Sequence, residues 1–267
     1  MSKTGPWQYR WLTATLLLSG ALLTSAPAFS QNTCTRLEVT GHPDFAPISW
    51  QRATTLAGFG PLLLTALAQQ AHVPIVIKNM GSWGKAQQAV MSGKADVIYG
   101  LYQTPERQQW LSYVYTPIFT DAWGILVPKG KEFIYTDRSA LIGKRGVTTD
   151  GESFEAELDQ WIASRLSVRR VPTQAAVLDA LKKGNLDYAI ISLTSAMGET
   201  QKKAINENFT LITDHFLRTN MYIAVGRASP CRQIVEGFSS IIATWQKDGT
   251  LGKLLDAAIR QRDQITP

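Results

Sequence analysis

The chain has 267 residues, of which 45% are hydrophobic and 18% are charged, so it can fill a core and is not a disordered chain. Its net charge of +6 comes from scattered basic residues without a stripe, which argues against nucleic acid as a partner. The histidines, His42, His72 and His215, lack the spacing of metal ligands, so we expect neither a structural metal nor another cofactor.

The first 30 residues have the pattern of a secretory signal peptide. Lys3 and Arg10 form a basic start, residues 11–23 are apolar but too short to span a bilayer comfortably, and residues 26–28 or 28–30 offer small-residue cleavage patterns. No later stretch reaches transmembrane length, and Cys34 is not preceded by the small residues of a lipobox. We therefore expect a soluble mature protein that is exported to the periplasm.

The two cysteines, Cys34 and Cys231, are predicted to form one disulfide. An even count in an oxidising compartment favours pairing, and two unrelated free thiols are the alternative. The bond would join the start of the mature chain to a point near its end. A loop of that length stabilises by roughly 5 kcal/mol in a chain-entropy model.

The first half of the mature chain alternates strands and helices. A strand is predicted at 37–40, and the glycine and proline at 41–43 stop it. Residues 58–71 place apolar side chains on one helical face, with Pro61 near the start. Further strands are predicted at 73–77 and 96–99, on either side of a helix at 84–93. This alternation predicts an α/β fold with a mostly parallel sheet.

The second half repeats that order. Strands are predicted at 124–127, 145–148, 167–171 and 187–191, with a short helix or turn at 139–143, a helix opened by residues 151–155 and a helix at 173–183. A late strand at 221–225 precedes helices at 233–245 and 250–259. Residues 92–98 and 183–189 are similar, which indicates weak internal symmetry. We expect one lobe formed by 31–123 and 219–267, a second formed by 124–218, and a ligand cleft between them.

Arg107 follows the strand at 96–99, among hydroxyl and aromatic side chains. Its fork of donors matches the two oxygens of a small carboxylate. The alternative is a solvated loop arginine that pairs with Glu106. In α/β sheets the binding loops follow the carboxyl ends of strands, and Ser153 lies in such a loop of the second lobe.

The chain resembles the bacterial extracellular solute-binding proteins of family 3, the periplasmic receptors of amino-acid ABC importers. The resemblance covers nearly the whole mature chain and rests on the order and spacing of several short motifs. These are residues 43–47, 58–59, 93–96, 104–107, 115–117, 151–155, 184–187 and 248–251. It implies two lobes, each a mostly parallel sheet flanked by helices, that close around a small ligand and present it to a permease.

The resemblance also implies a set of ligand-binding residues. Arg107 would bind the α-carboxylate of the ligand, and the hydroxyl and backbone N–H of Ser153 would hold it from the other lobe, where a helix N-terminus favours an anion. Phe45 would stack on the ligand side chain and Trp83 would line the cleft, although ordinary packing is the alternative for both. Tyr102 stands where other members present small hydroxyl side chains.

One departure from the family concerns the amino group of the ligand. Members that bind amino acids usually have an aspartate after the strand near 187, whereas Ser192 takes that place here. A hydroxyl cannot supply the charge-assisted bond of a carboxylate. The hypothesis is that the ligand is a carboxylate without a standard α-ammonium, or that its amine is held differently. Asp44 and Asp121 are possible substitutes that the sequence does not place in the cleft.

Other functions remain open at this stage. A cyclohexadienyl-type dehydratase resembles this family and needs a general acid, for which His42 is the only plausible donor in the sequence. A sensor partner instead of an importer, or a degenerate member that binds little, are further alternatives. We expect a monomeric binding protein without catalytic residues that works with a membrane permease or sensor.

Overall fold

The computed structural model describes residues 34–196, 199–212 and 218–264. The predicted signal peptide, residues 1–30, lies outside these ranges. Across the described ranges, no helix combines the length and apolar character needed to cross a bilayer.

The described residues form an α/β fold of thirteen strands, ten α-helices and one 3-10 helix. The first elements are β1 (Leu37–Thr40), β2 (Asp44–Phe45), β3 (Ser49–Arg52), β4 (Thr55–Ala57), α1 (Phe59–Gln70), β5 (Ile75–Ile77), α2 (Trp83–Met91), β6 (Val97–Leu101), α3 (Pro105–Gln108) and β7 (Leu111–Tyr113). The middle elements are β8 (Phe119–Pro128), the 3-10 helix (Arg138–Leu141), β9 (Arg145–Thr149), α4 (Ala156–Arg165), β10 (Ser167–Val171), α5 (Gln174–Lys182), β11 (Tyr188–Ser192), α6 (Leu193–Ala196), α7 (Glu199–Asn208) and β12 (Phe209–Ile212). The last are β13 (Arg218–Gly226), α8 (Arg232–Glu236), α9 (Phe238–Lys247) and α10 (Thr250–Asp263).

The strands form two sheet regions that we call the first-lobe and second-lobe sheets. The first has the order β5-β1-β6-β13, with β7 also on β13, and the second has the order β10-β9-β11-β8, with β12 also on β8. β1 runs parallel to β5 and β6, and β9 runs parallel to β10 and β11. These pairings agree with the predicted α/β alternation, in which crossover helices join parallel strands.

Two long strands connect the sheets. Residues 218–221 of β13 pair antiparallel with residues 119–122 of β8. Beyond that ribbon, β8 pairs with β11 from Trp123 to Leu126, and β13 pairs with β6 and β7. This change of partner supports lobe boundaries near residues 123 and 219, which stay a prediction.

The first-lobe core packs α1 against the sheet. Leu63, Leu64 and Leu67 are fully buried along one face of α1, as the helical periodicity predicts. The helix begins after Gly58, where φ is 120° and a Cβ would lie 2.8 Å from the carbonyl oxygen of Ile48. Only glycine combines that backbone conformation with such a close approach, so Gly58 sets the start of α1.

The predicted disulfide is confirmed. Cys34 and Cys231 are bonded, with a Cα–Cα distance of 4.6 Å across a sequence separation of 197 residues. The bond ties the segment before β1 to the start of α8. Because β1 lies between β5 and β6, this cross-link holds the end of the chain against the first-lobe sheet.

The predicted elements differ from the observed ones in several places, and α3, β7, α6, α7 and β12 were not predicted at all. Helix α4 begins at Ala156 and not within 151–155, because Gly151 and Glu155 have positive φ angles of 76° and 96° that a right-handed helix does not allow. The helix predicted at 233–245 is divided at Gly237 into α8 and α9. The three-stranded sheet β2-β3-β4 was not predicted, because strands of two to four residues have too few positions to show a period.

Candidate ligand-binding site

A narrow cleft with a volume of about 10 Å³, enough for about one water molecule, lies between the two sheets. The first lobe contributes the turn after β1, β2, the start of α2, the end of β6 and α3, and the second contributes the loop before α4 and the end of β11. The lining residues are His42, Phe45, Trp83, Gly100, Leu101, Tyr102, Arg107, Trp123, Glu152, Ser192 and Met221. Five of the six ligand-binding residues predicted from the sequence are among them.

Arg107 is positioned by a short helix that the sequence specifies locally. Thr104 caps α3 by accepting a hydrogen bond from the backbone N–H of Arg107 at 3.1 Å, and Pro105 occupies the first helical turn. The side chain is buried, with 5% exposure, so the solvated loop arginine of the alternative interpretation is not what the structure has. Its Nη1 donates to the carbonyl of Tyr102 at 3.1 Å.

Arg107 also reaches the second lobe. Its Nη2 donates to the carbonyl of Gly151 at 3.0 Å, and Gln87 Nε2 on α2 donates to the same oxygen at 3.1 Å. A guanidinium has five N–H donors, so these bonds leave further donors for an anion in the cleft. The guanidinium lies 5.8 Å from the centre of the Trp83 ring. Arg107 therefore joins the lobes while facing the cavity.

Aromatic rings form much of the cleft wall. Phe45, Trp83, Tyr102 and Trp123 are each at most 6% exposed. Trp83 lies 5.4 Å from the imidazole of His42, and Trp123 packs edge-on against Tyr102 at 5.5 Å. The indole N–H groups of Trp83 and Trp123 are buried without an acceptor among the described residues. The wall is thus apolar but retains donors.

Asp121 lies on the crossing strand β8 next to the cleft. Its Oδ2 accepts a bond from the hydroxyl of Tyr102 at 2.7 Å, and its Oδ1 accepts bonds from the hydroxyl and backbone N–H of Thr194 at 2.6 and 3.2 Å. Burial and the negative charge of Asp121 hold the pKa of Tyr102 well above its ordinary value, so the phenol keeps its proton. Asp121 is therefore engaged by the protein on both oxygens.

Glu152 places a carboxyl group in the cleft that the sequence analysis did not consider. Burial raises its pKa from 4.5 to about 7, and the charges of Asp121 and Asp159 act in the same direction, against Arg107 and Arg170. The only sign of it in the sequence was its place in the motif 151–155, beside Ser153. A side chain in an irregular loop has no period that shows which way it points, so the sequence did not distinguish Glu152 from Ser153.

His42 faces Glu152 across the cleft, with 3.7 Å between its Nε2 and Glu152 Oε1. The Nδ1 atom of His42 accepts a bond from the backbone N–H of Asp44 at 2.9 Å, so the neutral ring carries its proton on Nε2. Burial lowers the pKa of His42 to about 3. The ring is thus neutral near pH 7, with its N–H directed toward a carboxyl group.

The two predicted serines occupy different positions. Ser192, at the end of β11, lines the cleft and is buried. The hydroxyl of Ser153 donates to Asp159 Oδ2, and Asp159 Oδ1 accepts from the backbone N–H of Phe154 at 2.8 Å, so both groups close the loop onto α4. Ser153 is buried but does not line the cleft, and a role for it in holding the ligand stays a prediction.

A larger apolar cavity of about 350 Å³ lies within the second lobe. It shares Trp123 with the cleft and is otherwise formed mainly by α4, the 3-10 helix and the segment before it. Within the described ranges, no group of three or more His, Cys, Asp or Glu side chains is placed so that it could hold a metal ion. Neither the cleft nor its surroundings offers a donor set for a metal cofactor.

Two α/β lobes connected by a pair of crossing strands, with a buried arginine in the cleft between them, define the class of two-lobed solute-binding proteins. The family model of the bacterial extracellular solute-binding proteins, family 3, matches residues 37–260, so the chain belongs to that family. The resemblance inferred from the sequence motifs is confirmed.

One curated relative and two solved structures illustrate what the chain is similar to, and the structures share its fold. The chain is 25% identical over 191 residues, 68% of this chain and 70% of the other, to a probable histidine-binding protein of Neisseria gonorrhoeae. An amino acid ABC transporter substrate-binding protein of Streptococcus pneumoniae, solved with L-arginine bound, matches with a TM-score of 0.70 at 22% identity over 85% of this chain and 96% of that one. An ancestral arginine-binding protein, solved with glutamine bound, matches with a TM-score of 0.69 at 24% identity over 84% and 97%.

Proposed function

We propose that this protein is a periplasmic receptor that captures a small carboxylate-bearing ligand, an amino acid or a related compound, and delivers it to an ABC-type permease. The observation that supports this most directly is the buried guanidinium of Arg107, which faces the cleft with donors to spare. Trp83 and Trp123 line the same cleft, and their buried indole N–H groups have no acceptor among the described residues. A cavity rich in donors suits a ligand rich in acceptors.

Capture would proceed by hinge closure about the ribbon of β8 and β13. In the closed form Arg107 and Gln87 of the first lobe both donate to the carbonyl of Gly151 in the second. A ligand carboxylate that contacts both lobes binds this form better than an open one, and that difference in affinity is what drives closure. A permease or a sensor that binds only the closed form would then recognise the ligand-bound protein.

A thermal-shift panel of amino acids, opines, keto acids, dicarboxylates and short peptides tests the receptor function. A ligand present at 100 times its dissociation constant adds about 2.7 kcal/mol to the free energy of unfolding. Arg107→Ala should remove the response while the ligand-free variant stays folded by circular dichroism. A panel without any response from the wild-type protein would contradict the proposal.

A dehydratase that acts on cyclohexadienyl acids is the second candidate, and one observation favours it. Glu152, whose burial raises its pKa to about 7, lies in the cleft beside the N–H of His42, and a carboxyl group with that pKa can act as a general acid at neutral pH. Incubation with prephenate tests it. Turnover that is abolished in His42→Ala or Glu152→Gln would establish the dehydratase function. If prephenate remains unchanged, the dehydratase function is excluded and the receptor function remains.

The destination of the protein is part of the same proposal. The basic start, apolar stretch and cleavage pattern of residues 1–30 support export by a cleavable signal peptide. Expression of the full chain, followed by fractionation and N-terminal sequencing of the product, tests this. A mature N-terminus after Ala28 or Ser30 in the periplasmic fraction is the expected result.

A further inference from the structure

The cleft contains an acidic group, Glu152, that has no part in binding the ligand carboxylate at Arg107. The side chain of Glu152 is only 19% exposed, and it lines the cleft together with Arg107. Two other acids act on Glu152: Asp121 already accepts bonds from Tyr102 and Thr194, and Asp159 accepts bonds from Ser153 and the backbone N–H of Phe154. Glu152 is thus the carboxyl group of the cleft that a ligand can engage.

Charged and titratable groups approach Glu152 from every neighbouring element. His42 faces it from the turn after β1 at 3.7 Å, Arg107 acts on it from α3, and Asp121 acts on it from β8. The phenol of Tyr102, which follows β6, lines the same cleft, and the charge of Glu152 helps to raise its pKa. From its own lobe, Asp159 on α4 acts on it, and Arg170 on β10 acts on it and also donates from Nη1 to its backbone carbonyl at 2.8 Å. The two arginines favour the ionised carboxylate, and the two aspartates oppose it.

We propose that Glu152 holds the amino group of the ligand while Arg107 holds its carboxylate, so that the cleft selects zwitterionic amino acids with an uncharged side chain. This inference rests on the receptor function proposed above and deepens it. The two residues provide one charge of each sign within one narrow cavity, which matches the two ends of a zwitterion. Position 192 can then be a serine instead of an aspartate, because Glu152 supplies the carboxylate from another loop.

The rest of the wall argues for an uncharged side chain. Phe45, Trp83, Leu101, Trp123 and Met221 present apolar surface to the cavity. Burial keeps His42 neutral, and its N–H points toward Glu152. A cationic side chain such as that of arginine would need a second free carboxylate, and burying it unpaired is costly.

The proposal has a consequence for the pH dependence of binding. Because burial raises the pKa of Glu152 to about 7, the group must lose a proton at lower pH before it can accept a bond from an ammonium. The affinity for an amino acid should therefore fall by up to about tenfold for each pH unit below 7. A carboxylate that lacks the amino group should not show this dependence.

Calorimetry with matched pairs of ligands tests the inference. The pairs are L-alanine with propionate, L-leucine with isocaproate and L-phenylalanine with phenylpropionate, and L-arginine and L-lysine represent cationic side chains. In the wild-type protein we expect one or more neutral amino acids to bind roughly tenfold or more tightly than the partner without the amino group. Glu152→Gln should remove that preference, whereas Glu157→Gln, the same change at an exposed glutamate of α4, should retain it.

The outcomes separate the inference from the function on which it rests. A preference that persists in Glu152→Gln, equal binding of a pair, or tightest binding of L-arginine or L-lysine would overturn the inference and leave the receptor standing. Loss of the preference in Asp121→Asn, with Glu152→Gln unaffected, would assign the amino group to Asp121 instead. If no carboxylate binds the wild-type protein, the receptor function fails and the inference fails with it. Thermal unfolding of each variant shows whether it is folded.

Discussion

Arg107 Nη2 donates to the carbonyl oxygen of Gly151 at 3.0 Å, which joins the residue expected to bind the ligand directly to the opposite lobe. The Gly151 carbonyl also accepts a bond from Gln87 on α2. Under the proposed function, closure of the lobes and placement of the guanidinium are therefore one event. A ligand that orders Arg107 would then also stabilise the closed form.

Gly151→Ala should weaken closure and lower ligand affinity. A Cβ at this position would lie 2.7 Å from Gln87 Nε2 and 3.2 Å from Trp83 Cδ1, and φ is 76°. Overpacking of this kind costs about 1–3 kcal/mol, so calorimetry should show a loss of affinity of roughly tenfold or more. Gly184→Ala is the matched control, since its φ is 82° but its nearest atom, Lys131 Nζ, lies 3.6 Å away. Equal losses of affinity in the two variants would contradict the role of Gly151 in closure.

Thr104→Ala should reduce both stability and affinity. Loss of an N-cap threonine costs about 1 kcal/mol, and here the capped N–H belongs to Arg107 itself, so the helix that aims the guanidinium loosens. Thr173→Ala removes an equivalent cap on α5, where Thr173 Oγ1 accepts a bond from the Ala176 N–H. This cap lies away from the cleft. Chemical denaturation should show similar losses of stability in both variants, while calorimetry shows weaker binding only for Thr104→Ala. Weaker binding of Thr173→Ala to the same degree would argue against this.

Glu152→Gln and His42→Asn should change the pH dependence of stability in opposite directions. Between pH 4.5 and about 7 the folded protein holds the proton of Glu152 that the unfolded chain has lost, so this group lowers the free energy of unfolding as pH rises. Between about pH 3 and 6.5 the unfolded chain holds a proton that buried His42 does not, so this group raises the free energy of unfolding as pH rises. Each slope is at most about 1.4 kcal/mol per pH unit, and the two oppose each other from pH 4.5 to 6.5.

Denaturation at several pH values therefore separates the two groups. Relative to the wild-type protein, stability should rise more steeply with pH in Glu152→Gln, which retains His42. It should fall with pH in His42→Asn, which retains Glu152 and keeps an acceptor for the Asp44 N–H. Parallel curves for all three proteins would mean that neither pKa is shifted by burial as described.

The double variant Cys34→Ser, Cys231→Ser should be less stable by about 2–5 kcal/mol, because the bond closes a loop across a sequence separation of 197 residues. Reduction of the wild-type protein should produce a similar loss of stability, and it should leave the double variant unchanged. Both measurements are made by denaturation with and without a thiol reductant. Equal stability of oxidised wild type and double variant would show that the bond contributes nothing.

Much of the fold followed from local patterns in the chain. The apolar face of residues 58–71, the strands at 37–40 and 167–171, and the helix after Thr173 were predicted because periodicity and capping residues act over a few neighbours. The late start of α4 was missed because it depends on the positive φ angles of Gly151 and Glu155, which the surrounding structure imposes. The division at Gly237 was missed as well, although the backbone angles of Gly237 stay right-handed helical. The two-residue strand β2 was missed because it is too short to show a pattern.

The sequence by itself determined the class of fold, from the order of its elements and motifs, and predicted the pairing of Cys34 with Cys231 from the even number of cysteines. The role of Arg107 in binding stays a prediction. Only the tertiary structure decided what faces Arg107. Glu152, Asp121 and His42 lie on separate elements, and the tertiary fold places Glu152 and His42 in one cleft with Asp121 next to it. Burial there changes the protonation of Glu152 and His42, because their charged forms lose water that distant parts of the chain exclude. The chemistry of the cleft is therefore a property of the tertiary fold.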